Sequence, residues 1–292
     1  MPSNVIQWFP GHMAKTRRLM QECLSSVDLS IEILDARIPA SSKNPEIERL
    51  LGNKPILTLL SKASLADPAQ TEAWVNARSK EGVLCLPYDA VSGEGTSALM
   101  PAIRTLLSEK LARYAEKGMT GRRIRAMVVG IPNVGKSTFI NHMAGSKKAK
   151  AENRPGVTVS KQWVSSPLGL DLLDMPGVLW PKFDDPIIGE NLAITGAIKD
   201  SILNVDEIAM LLCGRLRERY PALFAERYKL TDEEMNDLDL YDLFLAVGRH
   251  RGFLMSGGKI DEERTAKTLL EEFRNVRIGR ITLESPKGES HA

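Results

Sequence analysis

The chain has 292 residues, of which 43% are hydrophobic and 26% are charged, a composition typical of a globular protein with one large domain or two ordinary ones. Its formal net charge of +2 is nearly neutral, so a preference for nucleic acid would have to come from local clusters of Lys and Arg. The 3 cysteines lie far apart without a C-x-x-C pair, which argues against a zinc site or a disulfide framework. Because the sequence has neither a long apolar run nor a signal-peptide pattern, we expect a soluble, cytoplasmic protein with no membrane partner.

The first part of the chain alternates apolar, strand-like runs with helix-like stretches. A Pro-Gly turn within residues 8–15 leads into a first helix with a buried apolar face. The run at residues 55–60 is almost continuously apolar, as expected of a strand buried on both faces of a sheet. This alternation predicts an α/β domain with a mostly parallel sheet flanked by helices. The predicted strands are residues 29–37 with their closing turn, 55–60 and 83–87, and the predicted helices are residues 46–51, 69–80 and 99–117.

Residues 130–137 read Gly-Ile-Pro-Asn-Val-Gly-Lys-Ser and fit the phosphate-binding pattern G-x-x-x-x-G-K-[ST]. The loop follows an apolar strand and precedes a helical stretch, which is the context that this pattern requires. Its backbone N–H groups would face a phosphate chain, Lys136 would neutralise the β- and γ-phosphates, and the Ser137 hydroxyl would ligate Mg²⁺. The nucleotide-binding residues predicted here are Asn133, Val134, Gly135, Lys136, Ser137 and Thr138.

The residues that follow the phosphate loop predict the two switches of a GTPase. A hairpin predicted over residues 163–174 ends in Asp-Met-Pro-Gly, which fits the pattern D-x-x-G. Asp174 would hold Mg²⁺ through water, and the Gly177 N–H would sense the γ-phosphate. Thr158, between the loop and the hairpin, is the candidate second hydroxyl ligand of Mg²⁺, ordered only when the γ-phosphate is bound. Together these patterns favour a GTPase over a kinase.

The last hundred residues predict helices only. The stretches at residues 202–216, 241–250 and 262–276 have helical periodicity, and residues 231–234 fit a capping box. We therefore expect a smaller all-α C-terminal domain. The predicted domains are residues 1–184 and 191–285.

A GTPase also needs a loop that reads the base, usually N-K-x-D, and the sequence downstream of the switches has none. The closest candidate lies upstream, where Ser61, Lys62 and Ser64 follow a buried strand. A second base-contacting loop would contain Ala90. This order implies a circular permutation, which costs little because a sheet keeps its packing when old termini are joined and new ones are opened.

These residues and motifs resemble those of the circularly permuted GTPases, and within them the ribosome biogenesis GTPase A family. The resemblance covers nearly the whole chain. It rests on residues 8–15, on Asp-Ala-Arg-Ile-Pro at residues 35–39, on the phosphate loop, on residues 154–158, on the D-x-x-G pattern and on the Gly- and Arg-containing pattern of residues 251–280.

The resemblance implies GTP hydrolysis to GDP, with Mg²⁺, coupled to late assembly of the large (50S) ribosomal subunit, with the helical domain on ribosomal RNA. Because Val178 stands where many GTPases carry a water-positioning glutamine, the family's N-terminal histidine, here His12, would act with Lys136 and Thr158 in catalysis. The alternative for His12 is a structural or rRNA-contacting residue. Asn133 matches an asparagine that coordinates K⁺ in related GTPases, so a potassium requirement is a hypothesis.

The base-reading loop departs from the family pattern, because Ser61 and Ser64 replace its Asn and Asp. Loss of the carboxylate would weaken discrimination against adenine by about 1.5–3 kcal/mol unless a neighbour such as Asp67 compensates. We still predict a slow GTPase that is monomeric off the ribosome. The alternative is a nucleotide-gated RNA-binding scaffold with incidental hydrolysis and relaxed base specificity, and a small-molecule kinase is a third possibility without a recognisable acceptor site.

Overall fold

The fold is given by a computed structural model that describes residues 13–145, 162–180 and 183–286. Within these ranges the strands are β1 (Leu29–Asp35), β2 (Ile56–Ser61), β3 (Leu84–Pro87), β4 (Ile124–Val129), β5 (Trp163–Ser165) and β6 (Leu170–Asp174). The helices there are α1 (Met13–Leu24), α2 (Pro45–Leu51), α3 (Pro68–Lys80), α4 (Thr96–Leu106), α5 (Ser108–Glu116), α6 (Lys136–Met143), α7 (Pro186–Ile194), α8 (Val205–Arg219), α9 (Pro221–Tyr228), α10 (Asp232–Asp237), α11 (Leu240–His250) and α12 (Glu262–Arg274).

The strands form one 6-stranded sheet in the order β3-β2-β1-β4-β6-β5. All neighbours are parallel except β5 and β6, which form the predicted antiparallel hairpin. Every residue of β1 is buried, as expected for a central parallel strand covered on both faces. Since β1 pairs with both β2 and β4, the strand that comes first in the chain lies beside the strand that enters the phosphate loop.

Apolar side chains fill both faces of the sheet. On one face, Met20 of α1 and Ile47 of α2 pack against Met127 and Leu173 of the central strands. On the other face, Phe139 of α6 joins a larger cluster that continues into the helical part of the chain. There α8 is central, because α7, α9, α11 and α12 all pack against it. Burial of this apolar surface is the main source of stability of both parts.

The helix predicted over residues 99–117 is two helices, α4 and α5. Leu107 lies between them with φ −105° and ψ 13°, which is outside the helical region, and its side chain is buried. The continuous apolar periodicity of this segment hides the break, because the buried Leu107 belongs to the same core face as Leu99 and Ile103.

The sequence interpretation missed α7 and α9, both of which begin with a proline. Pro186 is the first residue of α7, where a missing N–H costs no helical hydrogen bond. The Asp185 carboxylate caps the helix by accepting from the Ile187 N–H at 2.9 Å. α7 runs through the predicted domain boundary, and the division into residues 1–184 and 191–285 remains a prediction.

The capping box predicted at Thr231 is confirmed, with Thr231 and Glu234 each satisfying the other's backbone N–H. In the part of the chain that the structure describes, no helix has the length and apolar character needed to cross a bilayer.

Candidate nucleotide-binding site

The phosphate loop joins β4 to α6 at the carboxyl edge of the sheet. Gly130 has φ 148°, and a Cβ atom there would lie 2.5 Å from the Ile33 carbonyl oxygen, so the close approach of β1 requires glycine. Gly135 has φ 106° and immediately precedes Lys136, the first residue of α6. The N–H groups of Lys136, Ser137 and Thr138 therefore belong to the first turn of a helix, where backbone donors attract an anion.

The Lys136 ammonium lies beneath this loop, and the whole residue is only 8% exposed. It donates to the carbonyl oxygens of Ile131 at 2.7 Å and Gly130 at 3.1 Å. Burial lowers the pKa of Lys136 to about 8, although the Asp174 carboxylate acts in the opposite direction. A bound phosphate would give this buried ammonium a negatively charged partner in place of neutral carbonyl oxygens.

The D-x-x-G segment lies directly against the phosphate loop. Asp174 ends β6 opposite Val128 of β4, and burial raises the pKa of this carboxyl more than Lys136 lowers it. A Cβ atom on Gly177 would lie 2.6 Å from the Lys136 Nζ and 2.8 Å from the Pro132 nitrogen. Any larger side chain at this position would collide with the Lys136 ammonium and with the backbone of the phosphate loop.

The residues present fit Mg²⁺. The Ser137 hydroxyl and the Asp174 carboxylate are hard oxygen donors, which Mg²⁺ prefers, and it takes its remaining ligands from water and phosphate. Among the described residues no cluster of three or more His, Cys, Asp or Glu side chains could hold a metal ion alone. The predicted ligand Thr158 and the predicted catalytic His12 lie outside the described residues.

The base-reading loop predicted far upstream in the sequence contacts the phosphate loop directly. The buried Ser61 hydroxyl lies 2.6 Å from the Val134 carbonyl oxygen and 2.8 Å from that of Leu34. Lys62 has φ 58°, and its ammonium donates to the Asn133 carbonyl oxygen at 2.7 Å. The spatial arrangement required by a circular permutation is therefore present.

Asp35 and Arg37 entered the sequence interpretation only through the family resemblance, and the structure shows their contacts. The Asp35 carboxylate accepts from the Lys62 ammonium at 2.8 Å and from the Arg37 guanidinium at 2.7 and 2.9 Å. Burial opposes the charge of Asp35, but Arg37 and Lys62 outweigh it and hold the pKa of this carboxyl well below its usual range. Asp35 thus anchors Lys62 against the phosphate loop.

A second carboxylate, Asp89, connects the two loops that are predicted to contact the base. Its Oδ2 accepts from the Ser64 hydroxyl at 2.5 Å, and its Oδ1 accepts from the N–H groups of Val91 at 2.8 Å and Ser92 at 2.9 Å. The predicted base contact Ala90 lies within this turn and is partly buried. Ser64 therefore lies beside the turn that contains Ala90, and the base contacts of both residues stay a prediction.

Asp67, the neighbour considered as a replacement for the missing base-reading carboxylate, is committed elsewhere. Its Oδ1 caps α3 by accepting from the Ala69 N–H at 2.8 Å, and its Oδ2 accepts from the Tyr220 hydroxyl at 3.0 Å. The carboxylate therefore connects α3 to the helical part of the chain.

The helical part and the C-terminal segment also reach the site. The Asn133 amide nitrogen donates to the Gly196 carbonyl oxygen at 2.9 Å, so the amide oxygen is the side-chain atom that would ligate K⁺. The Arg280 guanidinium donates to the carbonyl oxygens of Ala63 and Ala66, both at 2.8 Å. No local sequence pattern indicated that this C-terminal arginine supports the base-reading loop.

Comparison with known proteins places these features in context. The sequence profile of the family described as "50S ribosome-binding GTPase" matches residues 125–243. Ribosome biogenesis GTPase A of Bacillus licheniformis is 46% identical over 283 residues, which cover 97% of this chain and 99% of the relative. Mitochondrial ribosome-associated GTPase 1 of Mus musculus is 32% identical over 298 residues, covering 96% of this chain and 90% of the relative.

Two solved structures share the fold. The GNP-bound YlqF from T. maritima has a TM-score of 0.63 and 26% identity, covering 94% of this chain and 99% of that one. A GDP-bound YlqF has a TM-score of 0.64 and 26% identity, with coverages of 92% and 100%. The predicted fold class, a permuted α/β domain followed by a helical part, is confirmed.

Proposed function

This chain belongs to the ribosome biogenesis GTPase A family, and we propose that it hydrolyses GTP to GDP and phosphate during late maturation of the 50S ribosomal subunit. Relatives named ribosome biogenesis GTPase A match almost the whole chain, and they confirm the predictions of a guanine-nucleotide-binding GTPase and of a role in ribosome assembly. The timing of its action, the 50S partner and the individual site residues are parts of our proposal.

One observation carries the proposal: the base-reading loop and the phosphate loop contact each other. The Ser61 hydroxyl and the Lys62 ammonium each reach a carbonyl oxygen of the phosphate loop, at 2.6 and 2.7 Å. A nucleotide whose base lies on residues 61–64 would therefore have its phosphates over Gly135 and Lys136. This arrangement supports a nucleoside triphosphate site.

Each residue of the phosphate site has a defined task in the proposal. Lys136 and the N–H groups at the start of α6 hold the β- and γ-phosphates, and the Gly177 N–H contacts the γ-phosphate. Ser137, Asp174 and Thr158 would hold Mg²⁺, which when bound neutralises charge on the transferred phosphoryl group.

The attacking water needs a polar group to orient it, and Val178, which follows D-x-x-G, cannot supply one. Its backbone oxygen accepts from the Asn44 amide at 2.9 Å, which fixes this part of the chain. We assign the task to His12. The free enzyme would then be slow, and the ribosome would accelerate hydrolysis. Asn133 would bind K⁺, which adds a positive charge at the phosphates.

The partner in the proposal is the 50S subunit with its ribosomal RNA, bound by the helical domain, while the free protein is monomeric. The Lys and Arg clusters within residues 15–18 and 110–125 belong to the predicted GTPase domain and would add further positive charge for the RNA phosphates. A third cluster, within residues 147–161, lies outside the described residues. Binding should weaken steeply as the salt concentration rises.

The test is phosphate release from GTP by the purified protein, with and without 50S particles. We expect 50S particles to accelerate turnover, and equal rates would overturn the proposal. The variant His12→Ala should lose turnover while it keeps GDP affinity. This variant also tests the alternative of a scaffold with incidental hydrolysis, which the GTPase relatives do not favour. Equal turnover in sodium and potassium buffers would remove the K⁺ assignment.

A further inference from the structure

The base-reading loop of this chain has a serine where the family pattern has a carboxylate, so the origin of guanine recognition is open. Guanine presents two adjacent donors, N1–H and the N2 amino group, and a carboxylate recognises them as an acceptor of hydrogen bonds. A serine hydroxyl is both donor and acceptor, because its proton rotates freely. By itself such a hydroxyl would accept guanine N–H groups or donate to adenine N1 with little preference.

Ser64 lies where the base is expected. It is two residues beyond Lys62, whose ammonium contacts the phosphate loop, and it belongs to the 3₁₀ turn Ala63–Leu65. The Ala63 N–H donates to the Tyr88 carbonyl oxygen at 3.2 Å, which joins this turn to the second base-contacting loop. The Ser64 residue is partly exposed, so a ligand can reach it.

The Ser64 hydroxyl has a defined hydrogen-bond acceptor. The hydroxyl points to Asp89 Oδ2, with an oxygen–oxygen distance of 2.5 Å, and the Ser64 N–H approaches the same oxygen at 3.3 Å. Asp89 is itself only 3% exposed. Burial opposes its charge, but the bonds from the Ser64 hydroxyl and from the N–H groups of Ser92 and Val91 lower the pKa of this carboxyl below its ordinary value. The ionised Asp89 offers acceptors only.

We propose that Asp89 fixes the Ser64 hydroxyl as a hydrogen-bond acceptor, so that Ser64 reads the N–H edge of guanine in place of the missing carboxylate. The Ser64 hydroxyl donates its only proton to Asp89, so its oxygen can offer only lone pairs to a base. The bond to the carboxylate also increases the negative charge on this oxygen. Adenine presents the lone pair of N1 at the same place and is rejected. Asp89 is a positioning residue here, since both of its oxygens already accept two hydrogen bonds each.

The inference deepens the proposed function and rests on it, because it assigns base selectivity within the same nucleotide site. The alternative carboxylates near the loop are occupied. Asp67 caps α3 and Asp35 holds Lys62 and Arg37. Ser64 with Asp89 is therefore the base-reading pair that the described geometry supports.

The test is the ratio of GDP to ADP affinity, measured with the full-length chain and Mg²⁺ by displacement of a fluorescent GDP analogue. In Asp89→Asn the amide oxygen can keep the bonds from Val91 and Ser92, while the amide nitrogen donates to Ser64. The Ser64 hydroxyl must then turn its proton outward. We expect wild type to prefer GDP by at least roughly tenfold, and the Asp89→Asn variant to reduce that ratio by roughly tenfold.

Two serine variants show whether Asp89 acts through Ser64. Ser64→Ala should reduce the ratio as much as Asp89→Asn does, whereas Ser64→Thr, which keeps the hydroxyl, should retain the wild-type ratio. In the double variant, Asp89→Asn should add nothing to the effect of Ser64→Ala. Thermal melting of each variant identifies loss of folding, and if Asp89→Asn does not fold, the Ser64→Ala and Ser64→Thr pair decides alone.

Several results would overturn the inference. These are a wild type without preference for GDP, an Asp89→Asn variant that weakens GDP and ADP equally, and an effect of Asp89→Asn that persists in Ser64→Ala. If wild type binds GDP and hydrolyses GTP with 50S stimulation, such a result removes the base-reading pair and leaves the proposed function intact. If wild type binds no guanine nucleotide, the proposed function fails together with the inference.

Discussion

Replacing Asp35 by asparagine should destabilise the protein strongly, because the carboxylate neutralises two cations at the centre of the nucleotide site. The side chains of Asp35 and Arg37 are 4% and 3% exposed, and the Lys62 side chain is 25% exposed. Asparagine has nearly the same shape, so the change removes charge without leaving a cavity. Breaking a buried ion pair on one side costs about 3–5 kcal/mol, since the remaining charge stays buried without a partner. We expect a loss of this size in the free energy of unfolding of Asp35→Asn.

The nucleotide site should respond as well. Lys62 would lose the anchor that holds its ammonium 2.7 Å from the phosphate-loop carbonyl of Asn133, so GDP affinity should fall together with stability. Urea unfolding measures the first effect, and titration with GDP under conditions where the variant is folded measures the second.

An exposed acid-to-amide change supplies the matched control. Glu263 pairs with Lys267 on the surface of α12, where both side chains are more than half exposed, and Glu263→Gln should leave the free energy of unfolding nearly unchanged. The reasoning is refuted if Asp35→Asn costs no more than Glu263→Gln.

Three further outcomes follow from the same structure. Gly177→Ala should reduce GTP turnover by at least roughly tenfold, because the new Cβ would lie 2.6 Å from the Lys136 Nζ; unchanged turnover would contradict the close approach. Arg280→Ala should lower the free energy of unfolding by about 1–3 kcal/mol and weaken GDP binding, since two charge-assisted bonds to the base-reading loop are lost; a GDP titration that matches wild type would exclude this support. Because the pKa of Asp35 is lowered from 3.8 in the folded protein, the contribution of this carboxylate to stability is complete above that value and is lost as the pH falls below it. Urea unfolding between about pH 5 and about pH 3 should therefore show a steeper decline in the free energy of unfolding for wild type than for Asp35→Asn.

The contacts at the site also connect nucleotide binding to the helical part of the chain. Arg37 lies between the Asp35 carboxylate and the Phe273 ring of α12, with its guanidinium carbon 5.6 Å from the ring centroid. The Leu283 N–H donates to the Arg37 carbonyl oxygen at 2.8 Å. A partner that displaced α12 or the C-terminal segment would therefore act on the loops that we propose hold the base.

Local sequence patterns were sufficient for the elements whose chemistry depends on adjacent residues. The phosphate loop needs Gly130, Gly135 and Lys136 at a fixed spacing between a strand and a helix, so the pattern predicts its structure directly. The same holds for the capping box at Thr231. The order of the base-reading and phosphate loops then indicated a permuted fold, because a sheet accepts new termini without change in its packing.

The partners of the charged and polar side chains could not be read from the chain, because sheet register and helix packing bring together residues that are distant in sequence. Lys62 reaches Asn133 across 71 positions, and Arg280 reaches Ala63 across 217. Ser64 and Asp89 meet because β2 and β3 pair in parallel and end at the same edge of the sheet. Two carboxylates, Asp67 and Asp89, follow the base-reading strands in the sequence, and only their three-dimensional hydrogen bonds distinguish the one that caps a helix from the one that orients Ser64.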